Sequence, residues 1–152
     1  MQREKGKRFE REVASQLRER FPWAIVRRGS QAERADMPDV FFQGPHAWAD
    51  RLLGRLWFEC QDSRTPTPFA KLDQAERDIR ARCVHGYAIA VWHKTGARFS
   101  CATMRLGTLQ EIMTGNEDAK GVNRHEYVTL TLDGLIEVIA SAIELERAKE
   151  AA

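Results

Sequence analysis

Apolar residues recur along this chain with two different periods, and the alternation between them sets out its elements. At about 100° per residue, Phe9, Val13, Leu17 and Phe21 form one stripe over 3–21, with Glu12 and Glu19 on the far side. The pattern predicts an amphipathic first helix, ended by Pro22, whose ring cannot continue it. Glu10 breaks the pattern, because it falls inside the apolar arc beside Val13 and Leu17. Two settings suit it: a rim position paired with an arginine, or an acidic group aimed at a cleft.

Beyond Pro22 the period shortens. The run 23–28 predicts a strand, and the polar stretch 29–37 a loop. Pro38 holds Met37 extended, and Asp39 opens a second strand over 39–42. A helical turn is expected at 48–53, then a strand at 56–60. Thr67 followed by Pro68 has the form of an N-cap with proline at the first helical position, starting a helix that runs to about 83 and buries Leu72, Ala75, Ile79 and Cys83. A strong strand follows at 87–93, with a turn at 94–96 and a returning strand at 98–102. A short helix at 104–113, a polar loop at 114–124, a short strand at 127–131 and a last helix opened by Asp133 complete the chain. The last helix carries a stripe of Leu135, Ile136, Ile139, Ala142 and Ile143. Strands interleaved with helices predict an α/β fold, a central mixed sheet flanked by helices, in a single domain over 1–152.

The stretch Leu56-Trp57-Phe58-Glu59-Cys60-Gln61-Asp62 stands out chemically. Side chains alternate along a strand, so Trp57, Glu59 and Gln61 share one face and Leu56, Phe58 and Cys60 the other. A carboxylate set among such residues is costly unless it reaches water or a partner, and a cation is one such partner.

Composition narrows the picture little. Twenty-four basic and 22 acidic residues give a net charge of only +2, so bulk charge does not announce a nucleic-acid binder. The distribution is uneven: basic residues gather in the first third, and Glu137, Glu144, Glu146 and Glu150 crowd the end. Cys60, Cys83 and Cys101 have no paired spacing and read as reduced thiols. With no membrane-spanning run and no signal-peptide pattern, a soluble cytosolic protein is expected.

Taken in order, a helix glutamate, a Pro-Asp at a strand start, a Glu-x-polar on the next strand and then a helix resemble the PD-(D/E)xK nuclease superfamily. Within it the chain is most similar to archaeal-type, phage-borne Holliday junction resolvases. The matching pieces are Lys5-Gly6-Lys7-Arg8-Phe9-Glu10-Arg11-Glu12, Arg28-Gly29-Ser30, Pro38-Asp39-Val40, Phe58-Glu59-Cys60-Gln61 and Gln74-Ala75, within about 5–93. The resemblance implies a restriction-endonuclease-like sheet and metal-dependent hydrolysis of DNA phosphodiesters at four-way junctions. Asp39 and Glu59 would bind Mg²⁺, or Mn²⁺ in its place, with the Cys60 carbonyl as a third ligand and Glu10 holding a metal-bound water or a second ion. Glu10, Asp39, Glu59 and Gln61 would be the catalytic set. Lys5, Lys7, Arg8, Arg11, Arg27, Arg28, Ser30 and Arg34 would contact DNA, and Gln74 would support the site. A homodimer is implied, in the cytoplasm of a prokaryote or phage-infected host, with the apolar last helix or the exposed face of the hairpin strands as its interface. The superfamily usually has lysine where this chain has Gln61. A tolerated natural replacement, a binding-only descendant, an engineered substitution that lets substrate bind uncut, and action on other branched or duplex DNA all remain open. On this basis Gln61→Lys is expected to cut junctions at least as fast.

Overall fold

The computed structural model describes residues 2–29, 37–116 and 124–152. The elements run α1 (Gln2–Arg20), β1 (Ile25–Arg28), β2 (Val40–Gln43), α2 (Ala47–Leu53), β3 (Leu56–Ser63), α3 (Pro68–Ala81), β4 (Tyr87–Lys94), β5 (Cys101–Arg105), α4 (Leu106–Thr114), β6 (Tyr127–Thr131) and α5 (Leu132–Ala151). The strands form one open sheet whose spatial order is the chain order, β1 to β6. Only β3 and β4 are parallel; the other neighbours are antiparallel. A parallel pair needs a crossover between its strands, and α3 is that crossover. The expected α/β architecture, a mixed sheet flanked by helices, is therefore present.

Strand alternation divides the core into two layers. Leu56, Phe58 and Cys60 point to one face, where α1, α2, α4 and α5 cover Val40, Phe42, Ile89, Val91, Ala102 and Met104. Trp57, Ala88 and Ala90 point to the other, against Leu72, Ala75 and Ile79 of α3. The face assignment predicted for 56–60 holds on both sides of the sheet.

Several boundaries move for physical reasons. Trp23 and Ala24 lie in the turn after α1 and pack on the core edge, so β1 begins only at Ile25. β5 starts at Cys101 because 95–100 is spent on a wide turn that includes Gly96 at φ 86°. Met104 and Arg105 stay in β5, paired with Val128 and Tyr127, so α4 starts two residues later than its apolar pattern suggests. Cys83, placed in α3 by periodicity, lies beyond it at φ 52° and is exposed. The α5 stripe is buried in the chain's own core, so those side chains are not available as a dimer interface. No helix among the described residues is long and apolar enough to cross a membrane.

Candidate active site

The site grows from the pairing of β2 with β3. Val40 faces Phe58 in that antiparallel register, and Asp39, the residue before Val40, bonds to Phe58 and Cys60, the two residues that flank Glu59. Asp39 is fastened there from three sides. Its N–H donates to the Phe58 carbonyl at 2.9 Å, its carbonyl accepts from Gly29 N–H at 2.9 Å, and its Oδ2 accepts from Cys60 N–H at 2.7 Å. Gly29 is required for this closeness: a Cβ there would lie 2.5 Å from the Pro38 carbonyl oxygen.

Glu59 is 2% exposed, on the α3 face of the sheet. Its Oε1 accepts from Trp57 Nε1–H at 3.3 Å, and the Asp39 and Glu59 carboxyls lie close enough to act on each other. Burial, and then the neighbouring Asp39 charge, push Glu59 up to about 8, so its carboxyl is protonated at neutral pH. Asp39 is also raised, by burial, although the Cys60 N–H and the Lys71 charge pull it back. Two buried like charges side by side are stable only with a shared proton or a cation.

Glu10 approaches from α1, close enough to Asp39 for their charges to interact. Its carboxylate is turned to Arg28 at the end of β1, at 3.0 Å from Nη2. Burial raises Glu10, and the Arg28 hydrogen bond opposes that. It is therefore a rim residue paired with an arginine. Among the described residues, no three His, Cys, Asp or Glu side chains form a ready-made metal cage. Asp39 and Glu59 form the pair, and Glu10 stands beside them, engaged elsewhere.

Gln61 does not point its amide at the acids. Its Oε1 accepts from Thr67 N–H at 2.8 Å, and the Thr67 hydroxyl lies 3.2 Å from Nε2 and 3.3 Å from Oε1. Thr67 is the N-cap of α3 with proline at its start, as expected, but its side chain makes no cap bond to the helix; Gln61 holds it instead. Gln74 is half-buried on α3. Sequence reasoning missed Lys71, half-buried on α3, whose charge acts on Asp39, Glu59 and the Cys60 thiol. Its spacing held a usable signal: it lies four residues before the buried Ala75, at the rim of the α3 stripe.

The cationic candidates differ in their surroundings. Lys5 is turned inward to Asp62, at 3.6 Å, and to the Thr95 hydroxyl. Asp62, only 7% exposed at its side chain, also meets His93 Nδ1 at 3.2 Å. Lys7 pairs with Glu4 at 3.4 Å and Arg8 with Glu12 at 3.8 Å. Arg11 and Arg27 are exposed, and Arg27 lies over the Phe41 ring at 4.7 Å. Ser30 and Arg34 lie outside the described residues. The acidic run of α5 is offset locally: Glu137 meets Arg20, Glu144 meets Arg147, Glu146 meets Lys149 and Glu150 meets Arg51.

No protein-family model matches this chain, and no curated protein is significantly similar to it.

Proposed function

We propose that this protein is a divalent-metal-dependent DNA endonuclease, of restriction-endonuclease-like fold, acting on four-way junctions as its resemblance implies. The observation that carries the proposal is the placement of the half-buried Asp39 carboxyl, held by Cys60 N–H, near enough to the buried Glu59 carboxyl for the two to interact at one end of a strand pair. The donor set is all oxygen, which suits a hard cation such as Mg²⁺, or Mn²⁺ in its place. Asp39 and Glu59 would hold the ion, with the Cys60 carbonyl as a third ligand and Glu10 supporting from α1. When bound, the ion supplies a water of lowered pKa and offsets the charge of the phosphodiester.

The chain's own groups do the rest. Cys60 N–H fixes one Asp39 oxygen, and Trp57 Nε1–H fixes one Glu59 oxygen, so neither carboxyl has to be ordered on binding. Glu59 gives up its proton when a cation takes its place, which ties occupancy to pH. Arg8 and Arg11, exposed on α1, and Arg27, exposed on β1, would be available to meet DNA phosphates. Two opposed cuts need two sites at a fixed spacing, which a symmetric dimer supplies. With the α5 stripe buried, the hairpin of β4 and β5, whose turn exposes Phe99, and the exposed edge-on pair Phe69 and Tyr127 are candidate surfaces for that contact.

Incubation with Mg²⁺ of a four-way junction, and of duplex DNA of the same sequence, tests the proposal. Paired nicks near the crossover, lost in Asp39→Asn and in Glu59→Gln, are expected. Equal cutting of the duplex would reassign the substrate, and binding with no cutting of any DNA would reduce the protein to a binding module.

A further inference from the structure

A phosphodiester-cleaving site needs a positive charge beside its acids, and the neutral Gln61 cannot provide one. We infer that Lys71 of α3 is the cationic catalytic residue of this site, and that Gln61 positions it by holding the start of α3. The inference rests on the nuclease role proposed above.

Three observations converge on it. The Gln61 amide bonds to Thr67 through both its oxygen and its nitrogen, which turns its polar end to the start of α3. Lys71 lies one turn beyond Thr67, and its N–H donates to the Thr67 carbonyl at 3.2 Å. The grip of Gln61 on Thr67 therefore sets the turn that carries Lys71. The depth is right as well. Leu72 and Ala75, next to Lys71 in sequence and one turn away on the helix, pack in one cluster with Ala90 and Trp57. Ala90 is the register partner of Glu59 on β4. Lys71 thus lies on the turn of α3 that packs over the β3 and β4 strands carrying Glu59 and Ala90, and its charge bears on Asp39, Glu59 and Cys60 together.

The chemistry needs only that charge. The water oxygen bonds to phosphorus, and the bond from phosphorus to one sugar oxygen breaks with its electron pair going to that oxygen. One water proton ends on the sugar oxygen and the other is released to solvent. Lys71 keeps its proton throughout and offsets the charge gathering on the phosphoryl oxygens.

Single-turnover cleavage of a four-way junction with Mg²⁺ tests this, together with junction binding in EDTA and the urea midpoint of each variant. Lys71→Met is expected to cut roughly 100- to 1,000-fold slower, with binding and midpoint nearly unchanged, while Lys71→Arg keeps part of the rate. Gln61→Ala is expected to slow cutting in the parent chain yet to add little in the Lys71→Met background, because its effect passes through Lys71. Equal losses in both backgrounds would remove Gln61 from a positioning role. If Lys71→Met cuts within about threefold of the parent, or loses binding as much as cutting, the assignment of Lys71 is overturned and the nuclease role stands. A parent chain that cuts no DNA overturns both.

Discussion

Arg28 places Nε at 3.2 Å and Nη2 at 3.0 Å from the same Glu10 oxygen, tying β1 to α1 beside Asp39. Both side chains are mostly shielded, at 29% and 18% exposed, so neither partner is well hydrated without the other. Arg28→Met should cost about 1–2 kcal/mol in stability, since it leaves a half-buried carboxylate near a second one. Glu10→Gln combined with Arg28→Met should cost less than the sum of the two single changes. Urea unfolding of the four proteins in the cycle measures this, and strictly additive losses would mean that the pair contributes nothing.

The acid pair makes stability depend on pH. Glu59 is raised to about 8, and Asp39 and Glu10 are raised as well, so the folded chain holds protons that the unfolded chain has already lost. Their contribution is fully present below the ordinary carboxylate range and declines as pH rises toward 8. Thermal unfolding from pH 5 to 9 should show a falling Tm that flattens in Glu59→Gln. Added Mg²⁺ should raise Tm more at pH 8.5 than at pH 5.5, because below the Glu59 value the ion competes with a proton. Equal Mg²⁺ shifts at the two pH values would count against a metal site at Glu59.

Gln61→Lys reverses direction once the structure is considered. A lysine cannot accept the Thr67 N–H, so the first turn of α3 loses its anchor. The variant should be less stable by about 1 kcal/mol, and its cleavage should not exceed that of the parent chain. Faster cleavage by this variant would restore the sequence-based view of position 61.

Gly29→Ala is the most direct probe of how Asp39 is placed. The added Cβ would sit 2.5 Å from the Pro38 carbonyl oxygen, a backbone atom that cannot swing aside. The β1 exit and the β2 entrance must separate, at a cost of about 1–3 kcal/mol. Metal affinity, measured by Mn²⁺ titration, should fall together with stability. An alanine variant with unchanged Mn²⁺ binding would mean that Asp39 is not held through Gly29.

The sequence was most legible where period and burial agree. The α1 stripe, the two faces of β3 and the α5 stripe follow from spacing alone, because each buries a continuous row of apolar side chains. Asp39 and Glu59 were legible as a pair because a Pro-Asp at a strand start and a carboxylate in an apolar strand are both unusual. The partner of Glu10 was one of two open choices, since spacing tells which way a side chain points but not what meets it. Lys71 was hidden for a related reason. A lysine at the edge of a helix stripe looks solvated until the helix is laid on its strands. The hydrogen-bond partner of Gln61 was not legible, because Thr67 lies across a turn whose geometry no periodicity describes.

A sheet laid down in chain order lets each strand join an already formed edge as the nascent chain emerges, with no strand inserted between two others. Asp39 and Glu59 can therefore come together before the second half of the protein has been synthesised. Helix α5 arrives last and closes over α2, where Arg51 meets Glu150 at 3.2 Å. The acid pair thus needs only the elements up to β3, whereas the shielding of the opposite layer needs α5 as well.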